Sequence, residues 1–116
     1  SLVDRPRRGA EVWKVAGRAG RISLRPLLTR LAKAGHLHVL VEGGAAVQGS
    51  FLAAGLWDEL VLFVAPRLFG HSGLTWSGAL QVKTPEQAIA FEALDAVRVG
   101  ADLMVTARRP AASSSR

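Results

Sequence analysis

The stretch Val41-Glu42-Gly43-Gly44 sets a carboxylate and two glycines at the point where an apolar run gives way to a helical pattern. In open α/β sheets ligands settle at the carboxyl ends of strands. A helix N-terminus there offers free N–H groups and the positive end of its dipole to a phosphate. With no Cβ, Gly43 and Gly44 let the backbone approach such an anion. The same pair also serves a tight strand-to-helix turn on steric grounds alone, and spacing does not separate the two readings. Glu42 is either a solvated or capping carboxylate or a hydrogen-bond acceptor aimed into a ligand cleft. Its place directly before the glycine turn favours the second.

Other chemistries fail on their own requirements. Gly44 and Gly49 have the spacing of a P-loop with Ser50 following, but the lysine that would meet the β- and γ-phosphates is missing, and the G-x-G-x-x-G dinucleotide fingerprint is absent. Ser50 has no G-x-S-x-G elbow around it, which removes a serine hydrolase. The chain has no cysteine, which excludes disulfides, thiolate zinc sites and a cysteine nucleophile. His36, His38 and His71 have no carboxylate at metal-ligand spacing, so no metal site is expected. Asp58, Glu59 and Asp102 sit at turns and strand starts, where charges are solvated or satisfy local backbone donors. Trp13, Trp57 and Trp76 are scattered. They read as packing anchors, with Trp76 also placed to line a pocket or a dimer contact.

The elements that must position this site follow from periodicity. Glu11 to Val15 alternates polar and apolar and suits a short strand closed by a Gly17–Gly20 turn. Leu24, Leu27, Leu28 and Leu31 recur at i, i+3, i+4 and i+7, predicting an amphipathic helix capped by Ser23 and stopped at Gly35. Leu37 to Val41 is nearly all aliphatic, the pattern of a strand buried on both faces. Val47, Phe51 and Ala54 mark a second helix ending at Gly55, and Leu60 to Ala65 a second doubly apolar strand ended by Pro66. Strand, helix, strand, helix, strand at this spacing implies right-handed crossovers and a parallel sheet. Residues 70–88 read as a long, functional surface excursion. Phe91–Val99 and Asp102–Ala107 read as an antiparallel hairpin about Gly100-Ala101.

At 12.3 kDa the surface-scaling rule gives roughly 6,100 Å² folded against roughly 17,800 Å² extended, enough for a single core and no second domain. Apolar residues at 49% and charged residues at 21% exclude disorder for the bulk of the chain. The net charge of +6 leans towards anionic partners, yet Arg5, Arg7, Arg8, Arg108, Arg109 and Arg116 crowd the ends, which reads as solvated termini rather than a nucleic-acid groove. No apolar run reaches the roughly 18 residues of a membrane span, and the N-terminus lacks a signal-peptide stretch, so a cytoplasmic protein is expected.

From Val41-Glu42-Gly43-Gly44 through Phe69-Gly70 the string VEGGAAVQGSFLAAGLWDELVLFVAPRLFG resembles the reductase domain of the bifunctional riboflavin-biosynthesis pyrimidine deaminase/reductase family, and GADLMVTARR fits that family's last strand. The resemblance implies a dihydrofolate-reductase-like α/β fold: a mostly parallel sheet with helices on both faces and a C-terminal antiparallel hairpin, truncated on its N-terminal side. Residues 1–109 would be the C-terminal part of the reductase domain and residues 110–116 a disordered tail. It implies NADPH-dependent reduction of 5-amino-6-(5-phosphoribosylamino)uracil to the ribitylamino product, by a fragment not competent alone. Carried onto this chain, the family's substrate contact falls on Glu42. Its cofactor contacts fall on Gly43, Gly44, Ala45, Ala46, Val47, Gly49 and Ser50. No deaminase domain is expected within these 116 residues, because its zinc signature needs cysteines that they lack. Another reductase of the same superfamily is an alternative. So is a non-catalytic nucleotide-binding or assembly module whose open sheet edge pairs with a second chain, and self-association into a homo-oligomer such as a dimer is expected under either.

Overall fold

The computed structural model describes residues 9–78 and 80–111, in two compact units, Ser1–Val39 and Leu40–Arg116, where one core was expected. In the first unit, β1 (Gly17–Arg18) and β2 (Arg21–Ile22) pair as a minimal antiparallel hairpin. The expected strand at Glu11–Val15 does not form. Trp13 is instead taken up by the Arg30 guanidinium, 4.3 Å from the ring centroid, and Arg30 also donates to the Lys14 carbonyl at 2.8 Å. Helix α1 (Leu24–Lys33) matches the leucine period, with Ser23 at the N-cap and Pro26 in the first turn. It closes at Gly35 (φ +91°), where the Gly35 and His36 amides donate to the Ala32 and Leu31 carbonyls.

In the second unit, α2 (Ala45–Ala53) precedes β3 (Glu59–Val64), β4 (Ala93–Val99) and β5 (Asp102–Arg108), in sheet order β3-β5-β4. The hairpin turns at Gly100-Ala101, with Val99 opposite Asp102. Both pairings are antiparallel. The parallel sheet implied by the strand-helix order is therefore not formed among the described residues, and the reason lies at Leu37–Val41. That run has no strand partner and no regular structure, and Leu37 and Leu40 stand 89% and 81% exposed. A strand exists only through its neighbours, and no other described strand pairs with this run.

Nor does this unit carry helices on both faces of its sheet, since α2 is its one α-helix among the described residues. Leu60 and Leu62 are half-buried while Val61 and Phe63 are exposed, so the Phe63 side of the sheet is open, and the other side, where Val64, Leu94 and Leu103 are exposed, is covered only in part. The core is small: Phe51 and Leu52 from α2 and Ala107 from β5 are its buried apolar side chains. Trp57 packs edge-on against Phe91 with centroids 5.8 Å apart, the anchoring role expected of it. Residues 70–88 carry two single 3-10 turns, Gly70–Ser72 and Pro85–Gln87, and no strand among the described residues. Arg5, Arg7, Arg8, Arg116 and most of the expected 110–116 tail lie outside the described residues.

Candidate functional site

The glycine turn delivers the chain into α2 with two consecutive residues at positive φ, Gly43 at +66° and Gly44 at +75°. Gly44 is the N-cap, and its φ +75°, ψ 110° is a conformation that L side chains resist. The first helical bond runs from the Gln48 amide to the Gly44 carbonyl at 3.2 Å. The amides of Ala45, Ala46 and Val47 therefore have no acceptor within the helix. Gly44 has no side chain with which to cap them, and the first turn holds no acidic residue. Among the described residues the partial positive charge of this helix end meets neither a capping side chain nor a first-turn acid.

Glu42 is exposed, two residues before the N-cap, and its carboxylate makes no hydrogen bond or ion pair among the described residues. A Cβ added at Gly43 would meet nothing within 4 Å, and one at Gly44 only a Val47 methyl at 4.0 Å. The space before the helix is open. An anion could thus be received by three backbone amides, with a free carboxylate beside it to accept a hydrogen bond from a neutral donor such as a hydroxyl or ring N–H.

The other expected site residues divide along the helix. Ala45, Ala46 and Val47 lie in its first turn with free amides. Gly49 and Ser50 lie further in, and the structure gives them different work. The Ser50 hydroxyl donates to the Ala46 carbonyl at 2.8 Å, so it is spent within the helix. Gly49 is buried against Gly78: a Cβ on Gly49 would fall 2.8 Å from the Gly78 nitrogen and 2.9 Å from its Cα. The Gly78 amide donates to the Ala45 carbonyl at 2.6 Å. Sequence reading missed Gly78. The available signal was Gly49 itself, because a glycine inside a helical pattern costs about 1 kcal/mol and usually has a packing reason.

Among the described residues no three His, Asp or Glu side chains are grouped to hold a metal, and no helix is long and apolar enough to cross a membrane.

Comparison with known proteins bears on this turn-and-helix arrangement. The family model described as the RibD C-terminal domain matches residues 3–105. The riboflavin biosynthesis protein RibD of Aquifex aeolicus is 31% identical over 87 residues, covering 75% of this chain and 24% of that protein. The Bacillus amyloliquefaciens protein of the same name is 50% identical over 50 residues, 43% of this chain and 14% of its own length. Among solved structures, Acinetobacter baumannii RibD superposes with a TM-score of 0.69 at 31% identity over 77% of this chain and 25% of that one. The chain thus spans at most about a quarter of the length of these relatives.

Proposed function

The chain belongs to the RibD C-terminal domain family, and from that premise we propose that it serves riboflavin biosynthesis as an oxidoreductase module, contributing to NADPH-dependent reduction of 5-amino-6-(5-phosphoribosylamino)uracil to the ribitylamino product. The observation that carries this reading is the uncapped N-terminus of α2 behind two glycines at positive φ. Its donor set fits a dinucleotide diphosphate: three free amides, no acid in the turn, and no Cβ at Gly43 or Gly44 to stand in the way. NADPH, when bound, would supply the hydride to the sugar's anomeric carbon, while the ring C–O bond breaks and its oxygen takes up a proton from solvent. The chain's own part is binding and orientation. The amides of Ala45, Ala46 and Val47 hold the diphosphate by charge-assisted hydrogen bonds. Gly43 and Gly44 keep its path clear, and the Glu42 carboxylate accepts a hydrogen bond from the pyrimidine substrate.

Calorimetric titration of NADPH and of the phosphorylated pyrimidine into the 116-residue chain tests this division of labour, with Glu42→Gln as the variant. The expected result is saturable NADPH binding in both proteins, with the pyrimidine weakened about tenfold in Glu42→Gln through loss of a charged acceptor. Absence of saturable NADPH binding overturns the reading. Loss of NADPH binding in Glu42→Gln gives the carboxylate a different partner.

A second reading, a non-catalytic assembly module, is favoured by one specific observation: Leu37, Leu40 and Phe63 are 89%, 81% and 59% exposed, the first two on an unpaired run without regular structure and the third on the open side of the sheet. It requires self-association without NADPH binding. Self-association into a homo-oligomer belongs to both readings, because exposed apolar strand surface is normally covered.

A further inference from the structure

The chain's charge is divided unequally between its two units. Ser1–Val39 holds nine lysines and arginines against two acids, and Leu40–Arg116 six against seven, so the first unit accounts for the whole of the +6. Arg5, Arg7 and Arg8 supply only three of the nine. Lys14, Arg18, Arg21, Arg25, Arg30 and Lys33 are all exposed and share residues 9–39 with a single acid, Glu11. That carboxylate is engaged, because it accepts a hydrogen bond from the Trp13 indole N–H.

The fold gathers these cations instead of neutralising them. Arg18 stands directly opposite Arg21 across the β1–β2 hairpin, where like charges repel and an anion between them relieves the repulsion. The Ser23 amide donates to the Ala16 carbonyl at 2.9 Å, which ties that hairpin to the start of α1. Along α1, Arg25, Thr29 and Lys33 form one row at i, i+4 and i+8, and with Pro26 and Arg30 they line a shallow groove. Arg30 is held by the Trp13 ring and the Lys14 carbonyl, a clamp that brings Lys14 to the same helix. Arg18, Arg21, Arg25 and Lys33 make no ion pair among the described residues.

The make-up of this face selects its occupant. From Arg25 to Lys33 the groove runs about 12 Å along the helix, more than a single phosphate spans. Pro26 is its only apolar lining residue, whereas a protein partner needs an apolar centre to bury. Leu24, Leu27, Leu28 and Leu31 are half-buried, so α1 has no free apolar face to lay on a membrane. Single-stranded nucleic acid relies on aromatic platforms, and Trp13, this unit's one aromatic residue, is already stacked on Arg30. A duplex needs no such platform and presents one phosphate charge per roughly 1.7 Å of its axis.

We propose that this face of the first unit binds the phosphate backbone of duplex nucleic acid, with Arg18, Arg21, Arg25 and Lys33 as the phosphate contacts and no reading of base sequence. It shares no residue with the NADPH reading and stands independently of it. Fluorescence anisotropy of a short labelled DNA duplex, titrated with the 116-residue chain between roughly 50 and 200 mM salt, tests it. Four phosphate contacts give a slope of log K against log salt of about −3.6, the same for two duplexes of unrelated sequence. Arg25→Gln with Lys33→Gln brings the slope to about −1.8 and lowers affinity at the lowest salt by about tenfold or more. Glutamine is a good helix former, and circular dichroism checks the fold; Arg18→Gln with Arg21→Gln, off the helix, carries the same expectation. Arg98→Gln with Arg109→Gln removes equal charge from the second unit and leaves slope and affinity within about twofold of the parent. No duplex binding at the lowest salt overturns the proposal. So does an equal loss in the second-unit variant, which makes net charge and not this face the cause. Tighter binding to a single strand, or to phosphatidylserine vesicles, than to the duplex overturns it as well.

Discussion

Replacing Gly44 by valine separates the two duties of the glycine turn. The backbone at Gly44 has φ +75° and ψ 110°, and a branched L side chain held there costs roughly 2–3 kcal/mol. The Cβ itself is unobstructed, since the atom nearest to it is a Val47 methyl at 4.0 Å. At about 4 °C per kcal/mol for a domain of this size, the melting temperature falls by roughly 8–12 °C. The binding loss is separate. An isopropyl group before the amides of Ala45, Ala46 and Val47 removes at least one charge-assisted bond, worth roughly 1.5–3 kcal/mol, so NADPH affinity falls by about 10- to 100-fold. Gly55→Ala is the control. Gly55 also sits at positive φ (+65°) with open space around it, at the other end of the same helix, so alanine there strains the backbone without approaching the ligand. Circular dichroism melts and calorimetric titration well below the melting temperature read the two quantities. Parent-like NADPH affinity in a folded Gly44→Val protein refutes the phosphate-turn assignment. An equal affinity loss in Gly55→Ala shows that lost stability, and not obstruction, moved the binding.

Phe63 is 59% exposed among Val61, Val97 and Val99 on the open side of the sheet, so Phe63→Lys is expected to weaken self-association by about tenfold or more; sedimentation velocity across a concentration series checks it, and a parent that stays at 12.3 kDa throughout removes the premise. The Glu86 carboxyl is held below the usual carboxylate range by its own backbone N–H and then by the Thr84 side chain at the start of the Pro85–Gln87 turn. A depressed folded value means that its contribution is present above the unfolded value and is lost as pH falls through the folded one. An NMR titration that puts Glu86 at or above the ordinary glutamate range contradicts this.

Local order was legible because its causes are local. The leucine spacing of α1 and the glycines at 35 and 55 that end both helices act within a few residues, and so does the Gly100-Ala101 reversal between β4 and β5. The glycine turn before α2 was legible for the same reason, since a Gly-Gly pair ahead of a helical period announces an uncapped, approachable helix end. Pairing was not legible. Leu37–Val41 reads as a buried central strand from its side chains alone, yet a strand is defined by a neighbour, and here that run lies open while β3 pairs antiparallel with β5. The sequence could say that the run needs burial; it could not say which strand would supply it. The Gly49–Gly78 seam joins residues 29 positions apart, and no period links a helix interior to a point in an irregular loop. Only the folded backbone brought them within the distance at which a single Cβ decides whether the loop can dock.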